Sequence, residues 1–82
     1  MERTPLRRAS VAAEVRAELG YQNTSKATLA KATGISVDTL RRRLDGLYPF
    51  SIEELDKICH ALDVKLPDFL VRVRAREEAL NG

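Results

Sequence analysis

The side chains that could do chemistry are concentrated in one short stretch of this 82-residue chain, from Ser25 to Gly46. Three consecutive arginines, Arg41 to Arg43, follow a carboxylate at Asp38. A guanidinium presents a planar fork of donors that binds carboxylates, phosphates and other paired acceptors. The stretch is therefore typical of a surface that binds an anionic or acceptor-rich partner, and it holds no pairing of a nucleophile with a base.

Nucleophilic and metal chemistry have little support elsewhere in the chain. Cys59 is the single cysteine, so no intrachain disulfide can form, and it lies on the apolar side of a predicted helix. Its neighbour His60 points about 100° away around that helix, so the two side chains do not form a catalytic pair or share a metal. We expect no catalytic residue, no metal and no cofactor, and an enzyme is the least supported class of function.

Charge is divided unevenly along the chain, although the net charge is only +2. Residues 1–46 carry nine Lys or Arg and five Asp or Glu, whereas residues 47–82 carry five and seven. The basic half contains the arginine cluster, as a phosphate-facing surface requires.

The length fits one domain with a thin core. No apolar run is long enough to span a bilayer, and we expect a soluble, cytoplasmic protein.

Local signals place the arginine cluster on the second of two short helices. Ser25 and Ser36 are predicted N-caps, because a serine oxygen can accept a hydrogen bond from the first turn of a helix. Gly34 ends the first helix, since glycine adopts a left-handed conformation without steric cost. On the second helix Leu40 and Leu44 lie four residues apart and face inward. The positions left facing outward are Val37, Asp38, Arg41 and Arg42.

Three further helices are predicted around these two, which makes the chain all-α. Apolar residues four positions apart predict a helix from about Arg7 or Ser10 to Leu19 that ends at Gly20, with a polar loop over residues 21–24. Arg16 and Glu18 lie off its buried stripe.

The second half of the chain supplies the fourth and fifth helices. Ser51 is predicted to cap the fourth and Pro67 to start the fifth. In the loop before Ser51, the apolar side chains of Leu47, Tyr48 and Phe50 are expected to fold onto the core, with a phosphate contact from the Tyr48 hydroxyl as the alternative. The predicted buried face of the fourth helix comprises Ile52, Leu55, Ile58, Cys59 and Leu62.

The ordered set of these residues resembles the helix-turn-helix family of Cro and the lambda-type phage repressors, over roughly Val11 to Leu70. The residues at the family's spacing are Leu29-Ala30, Gly34-Ile35-Ser36, Leu40, Asp45-Gly46, Pro49, the helix over residues 52–62, and Asp63-Val64. Lys26 departs from the family's usual glutamine. Leu44 stands where the family usually has an acid, so we expect an internal salt bridge common in the family to be absent. The resemblance implies a compact, five-helix, lambda repressor-like domain that binds double-stranded DNA.

The resemblance also implies roles for individual side chains. The helix Ser36–Leu44 would enter the major groove, where arginine can hold a guanine edge, valine can contact a thymine methyl and a carboxylate can accept from cytosine N4. Lys26, at the start of the preceding helix, would contact a phosphate. The candidate DNA-binding residues are Ser25, Lys26, Ser36, Val37, Asp38, Thr39, Arg41, Arg42 and Arg43.

Alternatives stay open for three of these residues. Val37 either contacts a base or packs against the preceding helix. Asp38 either reads a base, orients an arginine, or forms an exposed pair with Arg42 four positions on. Arg43 either binds a phosphate or is simply solvated.

The chain divides into a basic tail (residues 1–9), the helix-turn-helix domain (10–75) and a charged tail or helix extension (76–82). The basic tail contains Arg3, Arg7 and Arg8. It is either a disordered terminus or an arm that follows the DNA backbone or enters a minor groove.

The function expected from this pattern is that of a bacterial or phage repressor that occupies an operator and excludes polymerase. The alternative is a protein-interaction module, such as an antitoxin that neutralises a partner through the apolar edge of the last helix. A homodimer is expected through the same helix, near Phe69, Val73 and Leu80, unless Phe69 and Leu70 instead complete the core of the monomer.

Overall fold

The computed structural model describes residues 7–81, with side chains for residues 7–79, and its five helices confirm the all-α prediction. The helices are α1 (Arg8–Gln22), α2 (Lys26–Thr33), α3 (Val37–Leu44), α4 (Ile52–Ala61) and α5 (Leu66–Asn81). No strand occurs within residues 7–81. The expectations for residues 1–6, Arg3 among them, and for the Leu80 side chain lie outside what the structure describes.

Apolar side chains from all five helices meet in one core. Its fully buried members are Val15 of α1, Leu29 of α2, Leu40 and Leu44 of α3, Ile58 of α4, and Phe69 and Val73 of α5. The helices α1, α4 and α5 pack against one another or against α2 and α3. The α2–α3 pair therefore packs against α1 and α4, and α5 in turn contacts those two helices.

The side chains of α5 that were expected to form a dimer surface point into this core. Phe69 and Val73 are 1% and 0% exposed, and Leu70 is half-buried against the same cluster. The expectation that Phe69 and Val73 form a docking surface is therefore wrong, and the alternative that Phe69 completes the monomer core is confirmed. Among the described side chains of α5, the large apolar one left exposed is Val71.

The first helix is longer than the sequence indicated. Gly20 does not end it: α1 continues to Gln22, and Asn23 adopts the left-handed conformation at φ 53°. The N–H groups of Asn23 and Thr24 donate to the carbonyls of Gly20 and Leu19 at 3.2 and 2.9 Å. This is a Schellman ending in which asparagine takes the place of glycine, as its short polar side chain permits. Residues 21 and 22, predicted as loop, are therefore helical.

Several side chains expected in the core lie at the surface instead. Ile52 is 62% exposed, because it occupies the first position of α4, where no other element covers it. Leu47 and Tyr48 are 60% and 53% exposed, and of the three loop side chains Phe50 alone packs against the core. The spacing of apolar residues predicts which way a side chain points, but not whether another part of the fold covers it.

Ion pairs join α1 to α5. Glu14 accepts a hydrogen bond from Arg76 at 3.1 Å, and Glu18 accepts one from Arg72 at 2.9 Å. Both glutamates are only 7% exposed. The expectation that Glu18 lies away from the buried side of α1 is therefore wrong, because α5 supplies a guanidinium that covers it.

In a third ion pair, between Arg7 and Glu77, the glutamate side chain is fully buried. The Glu77 side chain has no solvent exposure and accepts hydrogen bonds from Arg7 Nε at 2.8 Å, from the Arg7 backbone N–H at 3.0 Å and from the Ser10 hydroxyl at 2.8 Å. The side-chain and backbone hydrogen bonds from Arg7 lower the pKa of Glu77 to about 2, against the opposing effect of burial. Arg7, assigned from the sequence to a tail, is therefore tied to α5.

Candidate nucleic-acid interface

The two helices of the predicted motif begin and end as their local sequence indicates. Ser25 Oγ accepts a hydrogen bond from the Thr28 N–H at 3.0 Å, and Ser36 Oγ accepts one from the Thr39 N–H at 3.1 Å. Gly34 lies in the left-handed region at φ 79°, and its N–H donates to the Ala30 carbonyl at 2.9 Å. Both predicted caps and the predicted glycine turn are confirmed.

The turn between α2 and α3 is fixed by one hydroxyl and one apolar side chain. Thr33 Oγ1 donates to the Leu29 carbonyl at 2.8 Å and accepts from the Ile35 N–H at 3.2 Å. Ile35 is half-buried and packs against the core. These contacts restrict how α3 can move relative to α2.

Helix α3 has one buried face and one exposed face. Leu40 and Leu44 are 0% exposed, while Val37 is 39% exposed. Asp38, Arg41 and Arg42 are exposed as well, so all four positions predicted to face outward do so. Val37 is thus available to a partner, although its exposure is the smallest among the large apolar side chains at the surface.

The hydroxyl groups at the two N-termini form local pairs. Ser25 Oγ donates to Thr28 Oγ1 and Ser36 Oγ donates to Thr39 Oγ1, both at 2.9 Å. Ser25 and Ser36 are exposed, whereas Thr39 is half-buried. The serines therefore have a structural role as caps whatever contact they make with a partner.

Two exposed groups on α3 pair with each other. Arg41 Nη1 donates to Asp38 Oδ1 at 3.0 Å, with the two side chains 55% and 71% exposed. The proposed pair between Asp38 and Arg42 does not form; Asp38 reaches Arg41, three positions on, instead. At such exposure the pair is worth only about 0.3–0.5 kcal/mol, so it orients Arg41 more than it stabilises the fold.

Arg43 has a partner that its position in the sequence did not indicate. Its Nε donates to Glu54 Oε1 at 3.0 Å, and the two side chains are only 25% and 19% exposed. Burial raises the pKa of the Glu54 carboxyl, but the hydrogen bonds from the Ser51 N–H and from Arg43 lower it overall. A salt bridge therefore joins α3 to α4 through Arg43, next to the position at which the family's usual acid is replaced by Leu44. The spacing Ser51-x-x-Glu54, which forms a capping box here, predicts the place of Glu54 in the first turn of α4 but not its contact with Arg43.

Arg42 and Lys26 differ from these cations. Both side chains are exposed, and neither side chain has a hydrogen bond or an ion pair within the part of the chain that the structure describes. Lys26 is the first residue of α2, where the helix dipole adds positive potential. Both charges are available to an anionic or acceptor-rich partner.

The remaining groups with reactive chemistry are not assembled into a site. Cys59 is 2% exposed, and burial, with smaller effects from Asp56 and Glu18, raises the pKa of its thiol to about 11. His60 is exposed on the neighbouring position. Within residues 7–81, no three His, Cys, Asp or Glu side chains are grouped so as to hold a metal ion. No helix of this region is long and apolar enough to cross a membrane.

A helix-turn-helix with an exposed, arginine-rich second helix defines the class of protein: a helix-turn-helix DNA-binding protein. Residues 15–75 match the model of the Cro/C1-type HTH DNA-binding domain, and the chain belongs to that family. No curated protein sequence matches the chain significantly.

Two crystal structures of the clp gene regulator ClgR from Corynebacterium glutamicum share the fold. One is 28% identical, with a TM-score of 0.79 over 88% of this chain and 94% of that one. The other is also 28% identical, with a TM-score of 0.81 over 94% of this chain and 85% of that one. Family and structural neighbours together support a DNA-binding transcription regulator, a class whose function is binding rather than catalysis.

Proposed function

We propose that this protein is a sequence-specific repressor that occupies a double-stranded DNA operator through α3. The observation that carries the proposal is the exposed row of Val37, Asp38, Arg41 and Arg42 above the buried Leu40 and Leu44, within a domain of the Cro/C1 type. The similarity to ClgR, whose name describes a gene regulator, supports a regulatory role. Such a protein acts by occupying DNA that polymerase needs, and its place is the bacterial cytoplasm or nucleoid.

Arg42 and Lys26 do different work in this proposal. Arg42 projects from the last turn of α3 and holds a guanine edge with two parallel hydrogen bonds. Lys26, at the N-terminus of α2, contacts a phosphate at the mouth of the groove. Arg41 is oriented by Asp38 and reads a neighbouring base. Arg43 stabilises the position of α3 against α4, because its guanidinium is paired with Glu54.

The test starts by selecting duplexes from a random-sequence pool with the full chain. The selected duplex and single-base variants of it are then titrated with wild type, Arg42→Ala and Lys26→Ala at several salt concentrations. Arg42→Ala is expected to cost about 1–3 kcal/mol on the selected duplex and to relax preference at one base pair. Lys26→Ala is expected to weaken binding to all sequences alike and to lower the salt slope by about one unit.

Two outcomes would contradict these roles. A wild-type chain that enriches no sequence has no operator, and the proposed function fails. If Arg42→Ala loses affinity equally on all duplexes, Arg42 is a phosphate contact and the reading face of α3 is rotated toward Arg41.

We also propose that operator binding uses two copies of the chain. Helix-turn-helix proteins commonly occupy two half-sites about one turn of DNA apart. Because Phe69 and Val73 are buried, a contact through α5 would use its outer side, where Val71 is exposed. Analytical ultracentrifugation with and without the selected duplex tests this: a complex that contains one copy rejects the dimer.

A further inference from the structure

The C-terminal end of α3 is closed by a side chain from another helix. The last four carbonyls of a helix lack partners within that helix and must find them elsewhere. Three are satisfied by backbone N–H groups: Asp45 donates to Arg41 at 2.9 Å, while Gly46 and Leu47 donate to Arg43 and Arg42 at 3.1 Å. Gly46, at φ 78°, forms the left-handed residue of this Schellman ending.

The fourth carbonyl has a different donor. Arg16 Nη1, on α1, donates to the carbonyl of Leu44, the last residue of α3. A guanidinium at this place also meets the negative end of the helix dipole. Arg8, at the start of α1, donates to the Leu47 carbonyl at 2.9 Å, three residues further on. Two arginines of α1 therefore hold the segment where α3 ends.

This contact matters because α3 is short and has few other restraints. The helix has eight residues, and Leu40 and Leu44 are its only buried side chains. Its first turn is fixed to α2 through Gly34 and Ile35, and Arg43 ties its far end to α4. Arg16 supplies the corresponding tie to α1. Without it, the end of α3 keeps its apolar contact through Leu44 but loses one of the polar contacts that join it to other helices.

We propose that Arg16 is a positioning residue: its hydrogen bond to the Leu44 carbonyl sets the angle at which α3 meets DNA, and so determines sequence selectivity without touching a base. The proposal rests on the proposed function, since selectivity presupposes a preferred sequence. The proposal gives Arg16 a role different from that of the cations proposed to contact DNA directly. It also accounts for an exposed arginine on α1 whose guanidinium is turned toward the protein backbone.

The experiment compares Arg16→Met, Arg16→Lys and Lys57→Met in the full chain. Met keeps the aliphatic stem but has no donor, and Lys keeps a donor and the charge. Lys57→Met is the matched control, because it removes one exposed cation from α4, outside the α2–α3 pair. Each variant is titrated with the duplex selected by the wild type and with a scrambled duplex of equal composition, at several salt concentrations. Circular dichroism sets a temperature at which every variant is folded.

Arg16→Met is expected to weaken binding to the selected duplex about tenfold, which corresponds to the loss of one well-placed base contact, and to leave the scrambled duplex and the salt slope unchanged. Arg16→Lys is expected to recover most of this loss, and Lys57→Met to retain the wild-type ratio between the two duplexes. A purely structural role would lower the melting temperature and leave that ratio unchanged once the variant is folded, which overturns the proposal. An equal loss on both duplexes, with a lower salt slope, makes Arg16 a phosphate contact and also overturns it.

Amide hydrogen exchange separates this proposal from the proposed function. If the wild type enriches no sequence, the proposed function fails and the role of Arg16 in selectivity fails with it. If it does enrich one, the amides of Gly46 and Leu47 should exchange faster in Arg16→Met than in Lys57→Met. Unchanged exchange there means that Arg16 does not hold the end of α3, and the proposal is rejected while the proposed function stands.

Discussion

Two glycines of this chain should respond in opposite directions to the same substitution. Gly34 lies at φ 79° in the turn between α2 and α3, whereas Gly20 lies inside α1. A Cβ added at either glycine would meet no atom within 4 Å. Because neither change creates a clash, the backbone conformation alone decides the sign of each effect.

The magnitudes follow from that difference. At Gly34 a side chain costs about 1–2 kcal/mol for the left-handed conformation, less about 0.4–1 kcal/mol gained by restricting the unfolded chain, so Gly34→Ala should destabilise by about 1 kcal/mol. At Gly20 alanine is the better helix former, so Gly20→Ala should stabilise by about 0.5–1 kcal/mol. Gly34→Val should cost more than Gly34→Ala, because a β-branched residue is strongly disfavoured at positive φ.

Urea unfolding followed by circular dichroism measures both changes. The slope of the free energy of unfolding against urea concentration is expected to stay constant. For a domain of this size, 1 kcal/mol corresponds to a shift in Tm of about 4–8 °C. A Gly34→Ala protein as stable as the wild type would refute the left-handed turn. A destabilised Gly20→Ala protein would refute the continuation of α1 past Gly20.

Three further predictions concern groups that are buried or half-buried. Because the pKa of Glu77 falls to about 2 on folding, from about 4.3 in an unfolded chain, its contribution to stability is fully present above pH 4.3 and is lost as the pH falls toward 2. Glu77→Gln should remove this part of the dependence of the free energy of unfolding on pH. The same dependence on pH in both proteins would contradict the prediction. Cys59, with a pKa of about 11, should react with a thiol reagent at pH 8 far more slowly than after unfolding; equal rates would place the thiol at the surface. A double-mutant cycle of Arg43→Met and Glu54→Gln should give a coupling energy of about 0.5–1 kcal/mol, whereas zero coupling would mean that the pair does not join α3 to α4.

The motif itself could be predicted because its signals are local. The caps at Ser25, Ser36 and Ser51 each accept a hydrogen bond from an N–H three residues ahead. Gly34 turns the chain through its own backbone, and the spacing of Leu40 and Leu44 fixes which side of α3 faces outward. Interactions that close within one turn of helix can be inferred from residue types in order, without the rest of the fold.

Other features depended on residues far apart in the chain. The buried Glu77 is bound by Arg7, 70 residues away, and Arg16 reaches the Leu44 carbonyl 28 residues on. A hydrophobic pattern assigns every charged side chain to solvent, so it misplaced Glu18 and gave Arg43 no partner in the fold.

The sequence by itself thus determined the five helices, the turn and the exposed face of α3, because each is set by neighbours in the chain. The tertiary structure alone decided which charges are buried, which arginine side chains are tied to the fold and which, such as that of Arg42, stay exposed without a partner in it. The physical reason is that a carboxylate loses water on burial and must be compensated there by a cation or by hydrogen-bond donors, and packing decides which groups those are.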